Sequence, residues 1–176
     1  MKTELNYTQC NMGNLDPLVE ISRQTFVDAF EKDNDPTDFK NYIEKAFARE
    51  TLFNELSNPE TFFYFVSDGN NVVAYVKLNV GDAQSDVKLE DSMELERIYV
   101  LSAYQGLGLG EQIVSWVKKL ALVKHKTMLW LGVWEHNKRG IQLYQRQGFQ
   151  KFGTHPYFIG TDEQTDWLMR FDLTTL

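Results

Sequence analysis

Six residues, Gln105-Gly106-Leu107-Gly108-Leu109-Gly110, have the types and spacing to hold an anion. Glycine lets a backbone turn tightly and removes side chains that would block an approaching phosphate. Leu109, Ile113, Val117 and Leu120 follow at helical spacing and predict a helix over about 108–124. A helix start presents unpaired N–H groups and the positive end of its dipole to an anion. Gly106, Gly108 and Gly110 alternate, so several amides can point into one cavity. The glycines alone also fit a flexible turn. A dinucleotide fold expects such a loop early in a parallel β-α-β unit. Here the loop follows four predicted strands, and only Glu135 matches the acidic residue that fold needs further on. A P-loop is excluded, because Glu111-Gln112 stands where Lys-Ser/Thr is required.

The elements that position this loop are legible from periodicity. Residues Thr3 to Cys10 read as a strand, and Asn14 or Asp16 before Pro17 starts a helix that runs to about residue 30. Asp33-Asn34-Asp35-Pro36 breaks it. One further helical stretch, from Phe39 to Leu56, ends at Asn58-Pro59. Thr61 to Ser67 and Val72 to Leu78 form a hairpin about Asp68-Gly69-Asn70. Gly81 to Asp91 is a polar, acidic loop, and Met93 to Val100 is the fourth strand. Met128 to Val133 is a fifth strand, and Asn137 to Gln147 a helix stopped by Gly148. Phe149 to Tyr157 and Asp166 to Leu173 complete the order β, α, α, β-hairpin, β, α, β, α, β, β. The expected class is α/β (α+β): a mixed sheet with about four helices on its faces.

The chain has 176 residues, 43% of them hydrophobic, which suits one domain over 1–176 with a sizeable core. No apolar run approaches the roughly 20 residues of a bilayer span, and Met1-Lys2-Thr3-Glu4 carries no secretory signal. With Cys10 as the single cysteine, a cytoplasmic protein without an internal disulfide is expected. A formal net charge of -7 argues against nucleic acid and is compatible with a cationic substrate. His125 and His136 belong to no cluster with ligand spacing, so no metal is assigned.

Strand, Gln/Arg-x-x-Gly-x-Gly/Ala, helix, strand, Asn, helix, Tyr, Gly-Phe is the order of the GCN5-related N-acetyltransferase (GNAT) superfamily, which this chain resembles over about residues 3 to 173. Its segments 94–100 (Glu-Leu-Glu-Arg-Ile-Tyr-Val), 130–137 (Trp-Leu-Gly-Val-Trp-Glu-His-Asn) and 164–169 (Gln-Thr-Asp-Trp-Leu-Met) are most similar to the bacterial PaiA-type spermidine/spermine acetyltransferases. The resemblance implies a seven-stranded, mostly antiparallel sheet whose strands 4 and 5 splay to admit acetyl-CoA. Backbone groups of Ile98, Tyr99 and Val100 would pair with the pantetheine. Amides of Gln105, Gly106, Leu107, Gly108, Leu109, Gly110 and Glu111 would hold the pyrophosphate. Asn137 would touch the pantetheine, with Lys138 and Arg139 near the adenosine phosphates. Ala103 or Ser102 stands where the family usually has proline.

Acetyl transfer sets its own chemical demands. A primary amine, of pKa about 10, arrives as ammonium and must lose a proton. The resemblance assigns that proton to Glu96. Glu94, on the same strand face by period-two alternation, would bind the substrate cation. Arg97 does not follow the apolar alternation, so the strand pattern alone leaves the two glutamates facing either the cleft or solvent. A strand-4 amide, Tyr99 or Val100, would donate to the oxyanion. Tyr144 occupies the family's thiolate-protonating position, and a phenol stays protonated at neutral pH. Asp28 and Trp134 are further substrate candidates. Cys10 lies outside every motif, which argues against an acetyl-cysteine route. The acceptor expected is a small-molecule amine such as spermidine or spermine. The alternatives are a peptide or protein N-acetyltransferase and a non-catalytic acyl-CoA-binding regulatory module. A homodimer is left open.

Overall fold

A computed structural model describes residues 4–176. Seven strands form one sheet in the order β1-β2-β3-β4-β5-β7-β6. They are β1 (Leu5–Gln9), β2 (Thr61–Asp68), β3 (Asn71–Asn79), β4 (Ser92–Val100), β5 (Met128–Trp134), β6 (Gln150–Ile159) and β7 (Asp162–Asp172). All neighbours pair antiparallel except β4 and β5. Thr3, expected to open the first strand, lies outside the described residues.

The helices are α1 (Leu15–Phe30), α2 (Pro36–Ala46), α3 (Arg49–Ser57), α4 (Leu109–Val123) and α5 (Lys138–Arg146). Among the described residues they number five rather than about four, because the single helical stretch expected to end at Asn58-Pro59 is two. Asp35, expected as a breaker, caps α2 by accepting from the amides of Thr37 and Asp38, with Pro36 at the first helical position. The split follows at Phe47-Ala48. Phe47 is buried at 1% exposure, and Ala48 is extended, with φ -61° and ψ 146°. Apolar spacing runs through this break, so periodicity did not reveal it.

Two apolar layers cover the sheet. On one face α4 and α5 pack Leu109, Ile113, Val117 and Ile141 against Met93, Leu95 and Leu131. On the other, α1, α2 and α3 pack Leu18, Phe26, Phe39 and Leu52 against Phe63, Phe65 and Tyr75. The sheet therefore carries α4 and α5 behind it and α1 to α3 in front.

Candidate active site

The site begins where β4 and β5 part. They pair only from Ser92 to Glu94 and from Met128 to Trp130. Beyond that point β4 keeps β3 on one edge and has no strand on the other, while β5 keeps only β7. Unpaired backbone N–H and C=O groups in such a gap need a partner. Leu101 donates its amide to Val73 O at 2.9 Å. By the two-residue alternation of antiparallel pairing, Tyr99 turns its amide toward β3 while Ile98 and Val100 turn theirs into the gap. Of the two amides expected to serve an oxyanion, Val100 has the open orientation. The Val100 carbonyl accepts from Gln105 Nε2 at 3.1 Å, which ties the strand to the glycine loop.

The loop after β4 contains a short 3-10 turn, Ser102–Tyr104, and then Gly106 and Gly108 with φ of +80° and +76°. Gly108 is the N-cap of α4, and no side chain caps the helix. Its first amides therefore remain open to an anion. A groove of about 800 Å³ runs from this loop along α5, where Lys138 and Arg139 at its start and Arg146 at its end supply positive charge. Glu111, in the first turn of α4, is answered by Arg146 at 3.1 Å. Leu107 projects outward at 65% exposure. Asn137 lines the groove, but its Oδ1 is engaged as the cap of α5, accepting from Gly140 N at 3.0 Å. Its Nδ2 is the group left for a ligand. Open amides beside cationic side chains fit the diphosphate of a nucleotide-linked cofactor.

A second cavity, of about 330 Å³, lies on the α1–α3 side of the gap. Ile98, Tyr99, Trp134, Asn137 and Tyr144 line both spaces, so the cavity and the groove meet at these residues. Glu94, Glu96, Asp86 and Asp166 line the cavity. Tyr42 on α2 and Tyr157 on β6 meet hydroxyl to hydroxyl, which joins the two elements beside it.

A β-bulge explains how Arg97 comes to share the face of Glu94 and Glu96. Lys77 pairs with Arg97 and Leu78 with Leu95, so Glu96 is an extra residue in β4. The extra residue turns Arg97 to the front face, against Glu55 of α3 and the Phe47 ring. This is why Arg97 departs from the apolar alternation. Glu96 lies 2.7 Å from Lys77 Nζ and accepts from Asn79 Nδ2 at 2.5 Å. Glu94 accepts from the same Asn79 at 3.1 Å, from Ser85 N at 2.8 Å and from Ser85 Oγ. Burial pushes the Glu96 carboxyl up, but Lys77 and Arg97 outweigh it and hold the group below its ordinary value. Burial, and then the charge of Glu96, raises Glu94 against the hydrogen bonds from Ser85 and Asn79. Paired carboxylates driven apart in this way divide acid–base roles between them.

Tyr144, on α5, is buried, and burial raises its phenol. Its hydroxyl has no hydrogen-bond partner among the described residues, and its ring packs edge-on to Phe149 at 5.8 Å. Trp134 stands in the cavity beside Phe30. Asp28 does not join Glu94 in the cavity. It lines the groove beside the glycine loop, because Phe26 and Phe30, one turn apart, take the cavity face of α1. Tyr75 and Tyr64 are core residues and line neither space. Cys10 lines neither space, and burial pushes its thiol up to about 12.

The sequence reading missed Lys77, Asn79, Glu55, Asp166 and His155. Lys77 carried a signal, as a charged residue inside the apolar run Val72 to Leu78. Among the described residues no group of three or more His, Cys, Asp or Glu is placed to hold a metal, and no helix is long and apolar enough to cross a membrane.

Comparison with known proteins agrees with this geometry. Residues 17–149 match the profile of the Acetyltransferase (GNAT) family. The chain is 37% identical over 168 residues to the "Uncharacterized N-acetyltransferase in pepI 3'region" of Lactobacillus delbrueckii subsp. lactis, covering 96% of this chain and 97% of that protein. The PaiA N-acetyltransferase of Thermoplasma acidophilum, solved in complex with coenzyme A, superposes with a TM-score of 0.75 at 17% identity, over 96% of this chain and 99% of that one. Spermidine N-acetyltransferase of Vibrio cholerae, solved with CoA and spermine, gives 0.73 at 18% identity, over 97% and 96%. With the family profile matched over residues 17–149 and a relative 37% identical along nearly the whole chain, this chain belongs to the GNAT family as an acetyl-transferring acyltransferase.

Proposed function

We propose that the chain transfers an acetyl group from acetyl-CoA to a primary amine of a polyamine such as spermidine or spermine. The observation that carries this is the meeting of groove and cavity at Tyr144, Trp134 and Ile98. One side suits a diphosphate, and the other gathers four carboxylates among aromatic walls. Solved neighbours that hold CoA, and in one case spermine, support both halves.

Acetyl-CoA supplies a thioester carbonyl. Amides of the glycine loop and of the first turn of α4 hold its diphosphate, with Lys138 and Arg139 alongside. Backbone groups of Ile98 and Val100 pair with the pantetheine as an added strand would. The carboxylates draw in the ammonium, and the aromatic walls favour both its methylene body and its charge. The Glu94–Glu96 pair receives the ammonium proton. Within it, Glu96 is the fixed anion that faces the cation, and Glu94 is the partner with the greater proton affinity. The Val100 amide donates to the oxyanion that develops on the carbonyl. Tyr144 donates its phenolic proton to the departing sulfur, and burial keeps that proton in place until the thiolate forms.

The Tyr42–Tyr157 contact favours a small acceptor over a peptide, which needs an open groove. The test is thiol release from acetyl-CoA with spermidine, spermine, diaminoalkanes, an aminoglycoside and a short peptide as acceptors. Turnover with the polyamines is expected. Reaction with the peptide alone overturns the acceptor, and CoA binding without any turnover overturns the catalytic reading.

A further inference from the structure

Lys77, Glu55, Arg97 and Glu96 close a ring of alternating charge. Lys77 Nζ lies 3.0 Å from Glu55 and 2.7 Å from Glu96. Arg97 lies 3.3 Å from Glu55 and 3.7 Å from Glu96. Phe63 lies beneath Lys77 and Phe47 beneath Arg97. Side-chain exposure runs from 6% at Lys77 to 26% at Glu96, so water screens these contacts weakly. Three members belong to the sheet. Glu55 comes from α3 and faces Glu96 only through the two cations.

We propose that Glu55 is a positioning residue for acetyl transfer, which through Lys77 and Arg97 sets the proton affinity of the Glu94–Glu96 pair. The proposal rests on the role given to that pair above. The ring holds two cations and two anions. With Glu55 gone, both cations act on Glu96 alone and draw the pair toward its ionised form. With Lys77 gone, one cation no longer serves two anions, and the pair holds protons more firmly. An opposite charge at this range moves a carboxyl by about 1–3 pH units. The two removals therefore act in opposite directions, which a merely structural contact does not do.

The titratable groups facing the pair are few. They are Lys77 and Tyr75 on β3, Arg97 and Tyr99 on β4, Glu55 on α3 and Tyr42 on α2. Tyr157 and His155 on β6, Tyr144 on α5, Asp166 on β7 and Asp86 in the β3–β4 loop line the same cavity. Burial raises all five tyrosines, so they stay neutral across the working range. Asp166, raised to about 6 by burial, is a further carboxyl in the cavity whose titration needs its own control.

The experiment measures kcat/KM for the amine against pH in wild type, Glu55→Gln, Glu55→Asp and Lys77→Met, each also in an Asp166→Asn background. Carbon-13 NMR titration of labelled glutamate carboxyls in the same proteins supplies a readout without turnover. The acid limb is expected to move down by about one pH unit in Glu55→Gln and up by a similar amount in Lys77→Met. Glu55→Asp restores the wild-type limb, and the NMR midpoints move in parallel. If neither limb nor midpoints move while thermal stability drops, Glu55 is only a structural contact and the proposal falls. If the midpoints move and the limb does not, the pair takes no part in proton transfer, and the reading beneath the proposal falls with it.

Discussion

Glu94 and Glu96 accept hydrogen bonds from one carboxamide, with Asn79 Nδ2 lying 3.1 Å from the first and 2.5 Å from the second. The Asn79 oxygen is itself fixed, accepting from Thr61 Oγ1 at 3.0 Å. The carboxamide therefore cannot turn away without losing all three contacts. Two carboxylates tied so closely titrate as a pair. Lys77 and Arg97 secure one as an anion, and burial, joined by the charge of that anion, raises the other.

Glu94→Gln and Glu96→Gln are each expected to lower kcat by about 10²-fold or more. The double variant costs little beyond the worse single one, because the groups act as a unit. Coenzyme A affinity, measured by calorimetry, stays at the wild-type value in all three. Wild-type kcat/KM falls as pH drops through the raised titration of Glu94, since the proton-accepting pair then already holds its proton. Additive losses in the double variant would show two independent roles.

Gly106 and Gly108 adopt positive φ in open space, with nothing within 4 Å of where a Cβ would stand. Substitution at these positions is limited by conformation rather than by room. Gly108→Ala is expected to weaken coenzyme A binding by about 1–2 kcal/mol, the cost of a left-handed residue with a Cβ. Gly108→Asn, although larger, costs less, because asparagine enters that region more readily. A greater loss for asparagine, by calorimetry, would mean that bulk near the ligand decides instead.

Much of this arrangement was legible in the chain. Glycine spacing before a helical stripe located the loop, and Gly148 marked the end of α5, where its φ is +84° and Phe149 N donates to Tyr144 O. Those signals are local. The bulge at Glu96 is not, because it exists only in the register between β3 and β4, and its trace in the sequence was the misplaced polarity of Arg97. Glu55 left no trace, since a glutamate on a helix usually faces water. Asp28 misled for a related reason. Acidity placed it near substrate, and only the rotation of α1 shows that Phe26 and Phe30 hold the cavity side.

Tyr144→Phe is expected to reduce kcat by about 10²-fold, with KM for acetyl-CoA nearly unchanged. The hydroxyl has no partner among the described residues, so the variant keeps its packing on Phe149 and its thermal stability. A better leaving thiol needs less help from an acid, so an acetyl donor with a more acidic thiol narrows the gap between variant and wild type. An equal deficit with both donors would remove Tyr144 from the protonation step.

The Asp166 carboxyl has no hydrogen bond or ion pair among the described residues, yet it lines the cavity that holds Glu94 and Glu96. Burial raises its carboxyl from 3.8 to about 6, with His155 opposing. The folded state therefore favours the protonated form. That contribution to stability is complete below about 3.8 and is lost as pH rises through about 6. Wild type should lose thermal stability across that interval relative to Asp166→Asn. A bound polyamine reverses the sign, because its distant ammonium meets a carboxylate that otherwise has no ion pair among the described residues. Spermidine should then raise the melting temperature more at pH 7.5 than at pH 5, an increment that Asp166→Asn loses while its KM for the amine rises. Equal increments at both pH values in both proteins would place the second ammonium elsewhere in the cavity.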